Sequence, residues 1–268
     1  MDRRKIVLRN TIQRELKIQP ISEALPVMII IGRLLSIAVM ILAAKMLHER
    51  TYLIYLDDIL ELKKEYLHRK YVLRILFIDI PATTFIYNFI VAGIFYETIK
   101  KYNSLLEGTI KSLEALGKLI DYKLENLEEL RKYKVPKIWV ILLAYNAFLR
   151  FLFIAPALIY LDYKTSKGCR KVAARFYEGG TAAMDRGLPV LMPPELINMA
   201  TPIKREGGPQ EVRMLNINRG SLAVTLLANV VLSIPAAIWM HKIIRRVNTT
   251  IRVCRRMTDT LASTITIS

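Results

Sequence analysis

ETIKKYNSLLEGTIKSLEALGKLIDYKLENLEELRKYKVP, residues 97–136, lies between two long apolar runs and decides how the rest of the chain is arranged. Ile99, Leu106, Leu113, Ile120 and Leu127 recur at every seventh position, with Tyr102, Leu116 and Leu130 on the flanking seam, the pattern of packed helices. No proline occurs between Pro81 and Pro136, so one helix through the whole segment would extend about 60 Å. Apolar runs of spanning length precede and follow it, so both of its ends must return to one membrane face. The segment is therefore expected to fold back at Gly117 into a helical hairpin, two arms of about twenty residues that protrude about 25 to 30 Å. The competing reading is an interfacial helix lying flat, its leucine stripe in lipid.

The chain has 268 residues, 53% of them hydrophobic, and the apolar ones come in blocks. Four blocks reach spanning length: 26–47, 72–96, 138–161 and 221–240. The first is too long for a signal peptide's apolar region and has no small-residue cleavage site after it. The expected fold is all-α, a multi-pass protein of the cell membrane with about four transmembrane helices, a protruding hairpin and basic amphipathic helices. Its parts are a basic amphipathic helix (1–25), two transmembrane helices (26–96) around an amphipathic connector (48–70), and the hairpin (97–136). A third transmembrane helix (137–161), a polar helical and loop segment (162–220), a fourth transmembrane helix (221–240) and a basic amphipathic tail (241–268) complete it. Scarce glutamine beside abundant Lys, Arg, Glu and Ile points to a thermophile source.

Lys and Arg number 40 against 23 acids, a net charge of +17. Anionic partners follow, acidic membrane lipids first and nucleic acid second. Counting Lys and Arg on either side of four spans favours, by a narrow margin, the termini and hairpin inside. Charges and amides within the apolar runs are the candidate functional residues: Arg33 in the first, Asp79 and Asn88 in the second, Asn146 and Arg150 in the third. An unpaired charge in hydrocarbon is the costliest arrangement, so Asp79 and Arg150 are the first candidate pair. As helix glue they would hold two spans together, and as a functional pair they would form part of a polar path. Lys164, Lys167, Lys171 and Arg175 make a basic stripe on a helix expected to end at Gly179 and Gly180. In the tail, Ile243, Ile244, Val247, Ile251, Cys254, Met257 and Leu261 form one face, with Arg245, Arg246, Arg252, Arg255 and Arg256 on the others, a lipid-binding pattern. Cys169 and Cys254 lie far apart in sequence and are expected to be free thiols.

KGCRKVAARFYE followed by TAAMDRGLPVLMPPEL, then GGPQEVRMLNINRG and RRVNTTIRVCRRM, resembles the archaeal branch of the type II secretion F family, the platform proteins of pilus and archaellum assembly. The likeness covers about residues 155–220 and 245–257, with Gly187, Leu188 and Pro189 at the family's glycine-leucine-proline turn. It implies a platform subunit in a hetero-complex or oligomer, with other membrane or cytoplasmic subunits and a motor ATPase among its partners. It also places residues 162–220 in the cytoplasm, against the charge tally.

His48, His68 and His241 are isolated, and no phosphate loop, metal-ligand spacing or nucleophile motif is present. No catalytic residue, cofactor or metal is expected. The leading reading is a non-enzymatic membrane subunit of a secretion, pilus-assembly or translocation machine, docking partners through its hairpin and polar loop. A channel or transporter subunit, including a DNA-transfer channel component, is the alternative, and a membrane-protein insertase follows it.

Overall fold

The computed structural model describes residues 3–56, 80–145, 150–188, 190–200 and 233–267, and every element among them is helical. These are α1 (Arg3–Glu15), α2 (Val27–Leu56), α3 (Ile80–Leu119), a 3-10 segment (Leu127–Tyr133), α4 (Ile138–Tyr145), α5 (Arg150–Asp185), α6 (Pro194–Ala200) and α7 (Ile234–Ile267). Among the described residues, no helix is long and apolar enough to cross a membrane.

All eight heptad and seam residues from Ile99 to Leu130 are buried, but they do not build the expected hairpin. The helix runs through Gly117 to Leu119, so α3 is a rod of about 60 Å. The fold-back follows at residues 120–126, where Asp121 and Asn126 take left-handed conformations with φ of 49° and 57°. Short polar side chains tolerate that region better than most. Gly117 serves the turn differently: the returning chain passes over it. The Tyr122 amide donates to the Gly117 carbonyl at 2.9 Å, and a Cβ on Gly117 would lie 2.6 Å from the Tyr122 carbonyl oxygen.

The second arm is the seven-residue 3-10 segment, not a helix of twenty. A 3-10 helix repeats every three residues, which aligns Leu127, Leu130 and Tyr133 along one edge against α3 and α5. Asn103 then clamps the extended chain beyond it, donating to the Val135 carbonyl at 2.9 Å and accepting from the Val135 amide at 3.0 Å. The segment lies along the bundle and does not protrude.

α3, α5 and α7 run parallel. The Tyr102 hydroxyl donates to the Lys164 carbonyl at 2.7 Å, and further along Gly179 faces Leu113 and Leu116. Asp162 meets Arg246, and further along Gly180 faces Met257. Gly179 and Gly180 therefore do not break α5, which continues to Asp185; their missing side chains let neighbouring helices approach. The helix ends at Gly187 (φ 81°), where the Leu188 amide bonds the Ala183 carbonyl and the Gly187 amide bonds Met184, a Schellman motif. Pro189 lies outside the described residues.

Two of the four apolar runs are not single helices. The Trp139 and Tyr160 rings lie 5.4 Å apart, whereas one helix would separate them by about 30 Å. α4 and α5 therefore lie beside one another, and the third run is two helices rather than one. The fourth run is interrupted at Ser233, whose φ is 55°, and α7 begins only at Ile234. In the first run α2 extends past residue 47 to Leu56, and from the second α3 continues into the seam.

The two amphipathic basic helices are core elements. α1 stops at Glu15 rather than at Pro20 and runs antiparallel to α3, burying Ile12 and Leu16. Gly108 admits the Glu15 carbonyl at a distance that a Cβ would forbid. On α7 all seven residues of the apolar face are buried, against α5 and α1 rather than lipid. A second amide clamp joins these elements: Asn248 accepts from the Ile21 amide at 2.8 Å and donates to the Ile21 carbonyl at 2.7 Å.

Candidate functional site

At the end of the bundle formed by α2 and the starts of α3 and α7, five polar residues are buried among apolar ones: Arg33, Ser36, Tyr87, Asn88 and Ser233. Gly32 makes this possible, since a Cβ there would meet the Ile90 side chain at 2.9 Å, and its absence brings α2 close to α3. The Arg33 guanidinium lies 5.8 Å from the centre of the Tyr87 ring, a cation–π arrangement that offsets part of the cost of burial. The Tyr87 and Ser233 hydroxyls share a hydrogen bond of 2.6 Å. Among the described residues, the Ser36 hydroxyl is the buried side-chain polar atom without a hydrogen-bond partner. A permanently charged guanidinium beside hydroxyls and an amide can hold a negative or polar group.

Of the five polar residues expected in the apolar runs, Arg33 and Asn88 are thus placed at one end of the bundle. Asp79 and Asn146 lie outside the described residues, as does the side chain of Arg150, whose backbone opens α5. The Asp79–Arg150 pair therefore lies outside them too.

A second polar layer crosses the bundle where the apolar end meets the charged end. Asp162 accepts from Arg246 at 2.5 Å and from the Trp239 indole at 3.1 Å, tying α5 to α7. Around it stand Lys164 over Tyr160, Lys167 over Tyr163, and Lys137 over Tyr96, at 5.6, 4.7 and 5.9 Å from the ring centres. These lysine–tyrosine pairs, with Trp239 on Asp162 and Trp139 beside Tyr160, form a girdle of lysines and aromatic rings.

The expected basic stripe lies on α5 but is not uniform. Lys164 also donates to the Lys132 carbonyl at 2.7 Å, and Arg175 pairs with Glu178 and Glu129; Lys171 is exposed. On α7, Arg252 pairs with Glu23, Arg255 with Asp259 and Arg256 with Glu195, and Arg245 is exposed. Exposed pairs of this type contribute about 0–1 kcal/mol each.

The charged end carries an open groove of about 850 Å³ at the fold-back. Leu113, Gly117 and Leu124 line it together with Lys118, Lys123 and Glu125. Cys169 and Cys254 are free thiols and fully buried. Burial pushes the Cys169 thiol up to about 11, with the Thr250 hydrogen bond and Arg246 partly opposing it, and burial also raises the Cys254 thiol. No group of His, Cys, Asp and Glu able to hold a metal occurs among the described residues.

Tyr87, Ser233, Asp162 and Trp239 were not singled out by sequence. Asp162 did carry a signal, being the first charge after an apolar run, as did Trp239, an indole at the end of another. Nothing local marks the Tyr87–Ser233 contact, which joins residues 146 positions apart. No protein-family model, curated protein or solved structure matches the chain.

Proposed function

We propose that the protein is a non-enzymatic integral membrane subunit that docks partner proteins of a secretion, pilus-assembly or translocation machine. The observation that carries the reading is the division of its surface. Val27, Met28, Ile31, Leu34, Leu35, Val39, Ile41 and Leu42 are exposed along α2, and Phe89, Ile138, Ile141, Ile234 and Ile238 are exposed at the same end. Exposed apolar side chains in this number require cover, and a bilayer supplies it. In this reading the apolar end, with α4 and the start of α5, is embedded, and the girdle lies at the interface. The charged end, with the fold-back groove, stands clear and receives the partner. The resemblance to the platform family supplies the class of machine.

Affinity purification of the tagged full chain from its native membrane tests the proposal. A stoichiometric complex is expected, weakened by K118E/K123E at the groove. Recovery of the chain alone would contradict it.

The buried layer of Arg33, Tyr87 and Ser233 favours one second reading, a channel or transporter subunit with this layer lining the path. Loss of conductance or uptake on Arg33→Leu, with the complex still assembled, would favour it over docking alone.

A further inference from the structure

On the outer face of α7, Ile234 and Ile238 are exposed, and one helical turn further on the exposed residues become Lys242 and Arg245. At this change of character lies a shallow, open pocket of about 340 Å³, formed by Met199 at the end of α6 with Lys242, Arg245, Arg246 and Thr249 of α7. Its walls are almost wholly apolar: the Met199 side chain and the aliphatic stems of the basic residues. Of the pocket's three cations, Arg246 is engaged by Asp162, which also accepts from the Trp239 indole. Lys242 and Arg245 remain as the cations at the rim.

We infer that this pocket holds the phosphate headgroup of an anionic phospholipid. Three observations converge on it. Guanidinium and ammonium groups together match a phosphate diester, the first by paired hydrogen bonds and the second as a point charge. The aliphatic walls suit the glycerol and first methylenes of a lipid and give a free, fully hydrated ion little to bond. The pocket opens on the girdle, one turn above Ile238, which is the depth at which a headgroup meets its acyl chains. The inference rests on the membrane reading above and adds a defined lipid site to it.

The test uses the full chain in vesicles with Trp139→Phe, which leaves Trp239 as the single tryptophan of the two in the sequence. Phosphatidylcholine vesicles are doped with brominated phosphatidylglycerol or with brominated phosphatidylcholine, and quenching of Trp239 is recorded. Half-quenching should need about thirtyfold less of the anionic lipid, the effect of two cations close to an anionic group. K242Q/R245Q should abolish the difference and K242R/R245K should keep it, with helical content by circular dichroism unchanged in both. Equal quenching by the two lipids, or a preference that survives K242Q/R245Q, overturns the lipid site while leaving membrane embedding intact. Reversal of the quenching by inorganic phosphate overturns it in favour of a free-anion site. Absence of quenching by either lipid overturns the membrane reading as well.

Discussion

Gly117 sets two opposite expectations for a single methyl group. It lies inside α3, where helix propensity alone makes Gly117→Ala stabilising by about 1 kcal/mol. The Tyr122 carbonyl passing over it makes the same change a clash that costs about 1–3 kcal/mol. The account predicts a loss, so the sign of the shift in thermal midpoint decides. The sequence marked Gly117 as special and could not say why, because one letter serves both left-handed turns and close approach. Glu107 carries a second residue-scale prediction. Its hydrogen bond to Lys134, with Arg131 and Lys111 nearby, holds the carboxyl below the usual glutamate range. The stability it contributes is present above the unfolded glutamate value of about 4.3 and is lost as pH falls through the lower folded value. Glu107→Gln should therefore flatten the acid limb of a stability–pH profile. Cys169 acts at the other limb. Its raised thiol gives stability that is intact below the ordinary thiol range and is lost as pH rises toward about 11. Cys169→Ser should remove that alkaline loss, measured in the same profile, although the buried site makes the variant less stable throughout.

Helices were legible as elements and their directions were not. The heptad seam, the basic stripe and the apolar face of the tail each reappear as a helix face. Their partners differ from expectation because amphipathicity records that a face is covered, not what covers it. The tail and the N-terminal helix read as lipid-binding, yet the tail spends its apolar face on α5 and α1, and the N-terminal helix spends its own on α3. Residues 138–161 read as one crossing because hydropathy measures length, whereas the Trp139–Tyr160 contact excludes a single helix. The connections depend on the two asparagine clamps, which satisfy both backbone groups of a residue with no helix to do so. Asn248→Ala would leave the amide and carbonyl of Ile21 buried and unpaired, a loss of about 2–4 kcal/mol. Amide exchange in α1 should then rise ahead of exchange in α3, and uniform behaviour of the two helices would show that the clamp is not what docks α1. Asp162→Asn weakens the part-buried tie between α5 and α7 and should cost about 1–3 kcal/mol, read from the denaturant midpoint.

The described residues form a bundle with one end rich in exposed apolar side chains and one end rich in charge, and the proposed role rests on that polarity. Three parallel rods carry it, because α3, α5 and α7 each run from the apolar end to the charged one. The sequence disclosed the apolar blocks and the basic balance, from which the membrane proposal starts. It did not disclose that Arg33, Tyr87 and Ser233 converge, since three distant segments meet there. Spin-label accessibility in vesicles tests the polarity most directly, with one label at Leu35 on the exposed face of α2 and one at Lys118 by the groove. The native thiols are buried and can be left in place or changed to serine. The account predicts a label at Leu35 open to dissolved oxygen and closed to a water-soluble nickel chelate, with the reverse at Lys118. Ready access of the nickel chelate to both positions would contradict it.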